Sequence, residues 1–140
     1  MRKKYLITID GAQVYEGEED SISLSTLGEY RRDDDHFFIS YPESAATGFD
    51  GDIMSLEIES DKKVTLNRSG VSNTQLIIEL GQRHFSHYQT GFGGAMVSIR
   101  AQNIDNRLHD KGGEISLLYS LDLNASVLSQ NKLNITVKEI

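Results

Sequence analysis

Apolar side chains recur at every second position through most of the chain, and short polar or glycine-bearing segments interrupt the beat. The clearest run is Ile115, Leu117, Tyr119, Leu121 and Leu123, answered by Leu133, Ile135 and Val137. Successive side chains of a strand point to opposite faces, so a period of two predicts antiparallel strands with one buried face. Helical spacing is nowhere sustained: no segment joins an N-cap, a periodic apolar stripe and a C-terminal glycine. Strands are predicted at about residues 3–10, 21–31, 36–43, 52–60, 63–69, 73–80, 83–90, 95–104, 113–123 and 132–139.

Turn chemistry fills the gaps. Asp10-Gly11, the acidic run Glu16 to Asp20, Asp33-Asp34-Asp35, Asp50-Gly51-Asp52, Asp61-Lys62-Lys63, Gly70, Gly81, Gly91 to Gly94 and Lys111-Gly112-Gly113 all carry glycine or short polar side chains that accommodate a reversal. The single proline, Pro42, falls at a strand end, where a missing N–H is tolerated. Consecutive hairpins leave two open edges unless the sheet closes. The first and last runs, Tyr5-Ile7-Ile9 and Leu133-Ile135-Val137, are apolar enough to pair. The expectation is one all-β domain over residues 1–140, an antiparallel up-and-down β-barrel of about eight to ten strands with little helix.

Five segments together resemble the YwiB-like family. They are Gly28-Glu29-Tyr30; Ile39-Ser40-Tyr41-Pro42-Glu43 with Thr47-Gly48; Val64-Thr65-Leu66-Asn67-Arg68-Ser69-Gly70; Tyr88-Gln89-Thr90 before a glycine turn; and Gly113-Glu114-Ile115-Ser116-Leu117-Leu118-Tyr119-Ser120-Leu121. These relatives are small bacterial proteins, mostly from Firmicutes, of unknown function, and the similarity spans essentially the whole chain. It implies a calycin-like, lipocalin-type barrel and carries no activity. The chain departs from the family pattern in having Gly91 where proline is common and in placing Pro42 between Tyr41 and Glu43, both at strand ends.

Composition narrows the class further. With no cysteine there is no disulfide framework, thiolate metal site or cysteine nucleophile, so packing alone must hold the core. A formal charge of -7 repels a phosphate backbone, and nucleic acid is not an expected partner. Met1-Arg2-Lys3-Lys4 passes directly into the alternating pattern, without the apolar stretch or cleavage site of a signal peptide, and no window has the apolar length of a membrane helix. A soluble cytoplasmic protein without membrane contact is expected, in which the sequons at Asn67, Asn124 and Asn134 are chance matches.

Candidate chemistry comes from polar residues that share a face with the core. Tyr41 and Glu43 continue the face of Phe37 and Ile39, Arg68 that of Val64 and Leu66, and Tyr119 lies among aliphatic residues. An inward arginine needs a carboxylate or several acceptors, because an unpaired buried charge costs several kcal/mol in order of magnitude. Glu43 is its natural partner, with Tyr41, Tyr88 and Tyr119 as further acceptors. Two readings stay open: a pocket in which Arg68 and the tyrosine hydroxyls fix the polar end of a small, partly apolar or anionic ligand, and a plug in which Arg68 and Glu43 seal one end of the barrel.

Other motifs carry less. His84 and His87 fall on opposite strand faces, His36 and His109 stand singly, and the aspartate clusters lack the spaced loop of an EF-hand, so no metal site and no cofactor are assigned. Gly91-Phe92-Gly93-Gly94 lacks the lysine and helix of a phosphate loop and reads as a hairpin turn with Phe92 over the barrel mouth. No serine sits in a nucleophile elbow, and Glu57 with Glu59 should face water. No catalytic residue is assigned. Three functions follow in rank: a ligand-binding barrel, an interaction protein that pairs through an exposed strand or a surface such as Phe85, His87 and Gln89 with itself or another protein, and, last, an enzyme.

Overall fold

The structure, a computed structural model, describes residues 4–15, 17–43, 51–70, 73–90, 93–123 and 126–140, without the side chains of residues 15, 87–90, 93–95, 123 and 126–128. The alternating pattern becomes ten strands. They are β1 (Tyr5–Tyr15), β2 (Glu18–Asp33), β3 (His36–Pro42), β4 (Ile53–Glu59), β5 (Lys63–Ser69), β6 (Thr74–Glu79), β7 (Arg83–Thr90), β8 (Gly93–Asn106), β9 (Gly112–Leu123) and β10 (Ser126–Glu139). One antiparallel sheet runs in the order β6-β5-β4-β3-β2-β1-β10-β9-β8-β7. The first and last strands pair as expected, with Ile7 opposite Val137 and Ile9 opposite Ile135.

The barrel is nearly closed. Its open seam lies between β6 and β7, which end the sheet order and are joined by side chains where a ladder would otherwise run. Nε2 of His84 lies 2.8 Å from Oε1 of Glu79, and the Ser86 hydroxyl donates to the Gln75 carbonyl.

Cross-strand rungs explain how the core forms. Phe37, Ile58, Val64 and Ile78 make one inward rung across β3, β4, β5 and β6, and Ile39, Leu56, Leu66 and Leu76 make the next. Ile115 and Leu117 answer them from β9, fully buried beside Ile135 of β10. Each buried aliphatic side chain of this kind is worth about 1.5–3 kcal/mol relative to exposure. Tyr119 and Leu133, on the same faces, are only half-buried. A bulge in β8 between Ala101 and Asn103 shifts the period, so that Ile99 and Ile104 are both buried.

Asp10-Gly11 is not a turn. Gly11 lies inside β1 opposite Ile22 and Leu133, so the chain reverses within the acidic run instead, at Gly17 with φ 79°, and Glu18 to Asp20 already belong to β2. A polar pair on the exposed face of a long ribbon imitates turn chemistry: Asp10 accepts a hydrogen bond from the Ser23 hydroxyl at 2.5 Å across the β1–β2 ladder. Asp50, Gly91 and Phe92, also read as turn residues, lie outside the described residues.

At one end of the barrel the turns are laced together. Ser60, in the left-handed region at φ 56°, donates its N–H to the Asp35 carbonyl at 2.8 Å, and its own carbonyl accepts from Nδ2 of Asn106. The Tyr30 hydroxyl donates to the His109 carbonyl at 2.6 Å, and Arg32 pairs with Asp110 at 2.8 Å. Tyr5 packs edge-on against Tyr30, with ring centroids 5.4 Å apart.

Gly28 marks where β3 meets β2. A Cβ there would lie 2.4 Å from both the Ser40 carbonyl and Cδ1 of Ile7, so only glycine admits this approach. From Glu29 onward β2 pairs with β3, whereas before it β2 pairs with β1 alone among the described residues.

Candidate functional site at the unlaced end

The third rung of the same four strands turns polar. Tyr41, Met54, Arg68 and Thr74 stand side by side across β3, β4, β5 and β6, one step beyond the Ile39–Leu56–Leu66–Leu76 rung. Strand alternation therefore carries Arg68 inward by the rule that buries Val64 and Leu66. Glu43 follows Tyr41 on the same face, and its N–H donates to the Asp52 carbonyl at 2.8 Å.

These residues surround a cavity of about 200 Å³, closed on the far side by Tyr119 and Leu133. Tyr41, Glu43, Arg68 and Tyr119 all line it. Nη2 of Arg68 lies 3.8 Å from Oε1 of Glu43, close enough for charge attraction and longer than a direct hydrogen bond. Their accessibility differs: the Glu43 side chain is 2% exposed and that of Arg68 20%. The positive charge meets the hollow, and the negative charge is tucked behind it.

Electrostatics tie the tyrosine to the pair. Burial raises the Tyr41 phenol well above its ordinary range, the Glu43 carboxylate adds to the rise, the Arg68 guanidinium opposes it, and Tyr119 adds a smaller push upward. Tyr41 is thus a neutral hydroxyl beside an ion pair, able to donate one hydrogen bond and accept others. The site offers a cation, a carboxylate, two phenols and the threonine hydroxyl against an apolar floor of Leu66 and Leu76.

Of the five residues singled out from sequence, four meet at this cavity. Tyr88 is in β7, where its backbone pairs with Ala95, and its side chain lies outside the described ones. Sequence reasoning did not assign Met54 and Thr74, which enter the cavity through register, it placed Leu133 inward without joining it to the site, and it read Asp52, which is 2% exposed, as a turn residue. Gly70 was the available signal: at φ 139° it sits where a Cβ would fall 2.4 Å from Oδ1 of Asp52, so the glycine leaves room for that carboxylate.

Two histidines have acidic neighbours elsewhere, His84 with Glu79 and His36 with Glu59 at 3.4 Å. Among the described residues no group of three or more histidine, aspartate or glutamate side chains converges as a metal site would require. No helix among them is long and apolar enough to cross a membrane. Glu57 and Glu59 are half-exposed, opposite in sense to buried Leu56 and Ile58.

Fold and site together define a nearly closed antiparallel barrel, packed with aliphatic side chains through its middle and carrying a small polar hollow at one end. The chain belongs to a family described as a domain of unknown function, DUF1934, whose model matches residues 7–135. Among solved structures, the crystal structure of the ywiB protein from Bacillus subtilis is similar at 18% identity and a TM-score of 0.81, covering 99% of this chain and 92% of that one. At that identity the likeness shows a shared fold, in agreement with the resemblance read from the sequence. No curated protein matches the chain.

Proposed function

We propose that the protein is a small-molecule-binding barrel whose ligand carries an anionic group held by Arg68 and a short apolar portion resting on Leu66 and Leu76. One observation carries this reading: within a hollow of about 200 Å³ the accessible charge is the arginine, while its carboxylate partner is almost wholly covered. The volume lies below the roughly 300–1,000 Å³ of drug-sized pockets, which restricts the ligand to a compact acid. Tyr41 and Tyr119, which line the same hollow, supply phenol groups around the anion.

The Glu43–Arg68 pair also favours a second reading, a polar plug that needs no ligand. One variant separates the two. In a thermal-shift series with acetate, butyrate and hexanoate, the ligand reading expects the parent to gain stability with concentration and Arg68→Met to show no gain. The plug reading expects no response from either protein and a loss of about 3–5 kcal/mol in Arg68→Met, because Glu43 is then buried without its cation. Equal stabilisation of parent and variant would sink the site as described.

A further inference from the structure

The inward face of β2, β1, β10 and β9 changes from apolar to polar as the face beside Arg68 does. Ile22, Gly11, Leu133 and Leu117 stand side by side, and the next rung toward the unlaced end is Asp20, Gln13, Asn131 and Tyr119. Gly11 leaves the apolar rung without a side chain, and an open hollow of about 260 Å³ lies there, lined also by Ile22, Gln13 and Asn131. A Cβ on Gly11 would meet Cγ2 of Ile22 at 3.4 Å and Cδ1 of Leu133 at 3.8 Å, which are ordinary contacts, and its φ is not positive. Neither crowding nor a turn requires this glycine, and a bare position inside a strand is one where a ligand can approach the backbone. Tyr119 and Leu133 border this hollow and the Arg68 hollow alike. Both are half-buried, so each keeps a surface that the protein does not cover.

We propose that the two hollows are halves of one site, which takes an elongated acid with an uncharged hydrogen-bonding group at its far end. The carboxylate lies at Arg68, a few methylenes cross Tyr119 and Leu133, and a group such as a primary amide meets Gln13 and Asn131. This rests on the ligand reading of Arg68 and adds the rest of the ligand. Joined, the two spaces reach the roughly 300–1,000 Å³ of small-molecule pockets, which the Arg68 hollow alone does not. Asp20 and Lys132 set opposite charges at the rim of the second hollow, which favours neither sign of charge between them. Gln13 and Asn131 each carry a carbonyl oxygen and an NH₂ group, so an amide on the ligand can match a donor to an acceptor in both directions. Asn131 also donates one N–H to the buried Ser129 hydroxyl at 3.0 Å, which orients its amide before any ligand arrives. Ile22, Leu133 and the Tyr119 ring supply the apolar contact for the methylenes.

Calorimetric titration of the full chain with hexanoate, adipamate and ε-aminohexanoate tests the joined site, because these acids share a chain length and differ at the far end. Adipamate, which ends in a primary amide, should bind about five-fold more tightly than hexanoate, the effect of one well-made neutral hydrogen bond. Gln13→Leu and Asn131→Leu should each bring the two acids within about two-fold of one another, and Arg68→Met should abolish binding of both. Gly11→Val fills the second hollow and should weaken adipamate at least about ten-fold, while butyrate, short enough for the first hollow, binds as it does to the parent. Should Gly11→Val fail to fold, the two amide variants still decide. Equal affinity for hexanoate and adipamate, with both lost in Arg68→Met, overturns the joined site and leaves the anion reading standing. So does an advantage of adipamate that persists in both Gln13→Leu and Asn131→Leu. Tighter binding of ε-aminohexanoate than of adipamate overturns the uncharged far group. Absence of any acid whose binding depends on Arg68 overturns both readings together.

Discussion

The two ends of this barrel are built from the same strands by opposite means. At the laced end, turns are tied by main-chain and side-chain hydrogen bonds: Ser60 to Asp35, Asn106 to Ser60, Tyr30 to His109, Arg32 to Asp110. At the other end the rungs cease to be aliphatic, and a hollow of about 200 Å³ stands among Tyr41, Glu43, Arg68 and Tyr119. The closed end uses its polar groups to tie turns together, whereas the hollow gathers a cation, a carboxylate and phenols around a small space. Function is therefore sought where packing stops.

The largest effect that sharpens this contrast is a truncation on either side of the boundary. Leu117 is fully buried in the packed middle, and Leu117→Ala should cost about 2–5 kcal/mol through lost burial and the void left behind. Leu133, its neighbour on β10 and half-buried at the hollow, already borders empty space, and Leu133→Ala should cost about 1 kcal/mol. Urea denaturation measures both. Equal losses would mean that the hollow is packed as tightly as the core.

A smaller effect tests the lacing. Tyr30→Phe removes the hydroxyl that reaches the His109 carbonyl and should cost about 0.5–1.5 kcal/mol at neutral pH. The same phenol gives the barrel an alkaline signature. Burial, with Tyr5 and Asp110 adding and Arg32 opposing, leaves Tyr30 pushed up to about 12 from an ordinary 10.0. Above pH 10 the unfolded chain releases this proton while the folded one keeps it, so its contribution is complete below pH 10 and is lost as pH rises toward 12. Tyr41 adds a decline of the same sign at the hollow end. Thermal midpoints from pH 9 to 11.5 should fall in the parent and fall less in Tyr30→Phe; parallel curves would remove Tyr30 from the account.

Smallest of all should be Glu57→Ala, on the solvent side of β4, at less than about 0.5 kcal/mol. A cost near that of Leu117→Ala would invert the inside and outside of the sheet.

Much of this architecture is legible in the sequence because a period of two is a strong signal wherever one face is buried. The Ile115, Leu117 and Leu121 series is an example, and so is the match of the first run to the last. Legibility fails where the period is broken or where register decides. The β8 bulge shifts the pattern by one residue, and Asp10-Gly11 resembles a turn although its ladder continues past it. At the site, Arg68, Tyr41, Glu43 and Tyr119 were readable as inward polar residues, whereas Met54 and Thr74 were not. Their place depends on which residues of separate strands stand opposite one another, a long-range fact that no local pattern records.

The pairing of β1 with β10 has a temporal side. Ile7 waits for Val137, so the ladder that joins the two flanks of the sheet links segments that emerge from the ribosome at widely separated moments. Each other ladder joins strands that are neighbours along the chain and can zip as soon as its second member appears. Non-local closure of this kind slows folding, because the entropy of bringing distant segments together is lost before their contacts are gained. Until then the β1 flank is bare, and the nascent chain carries an adhesive margin that a crowded cell must tolerate or shield.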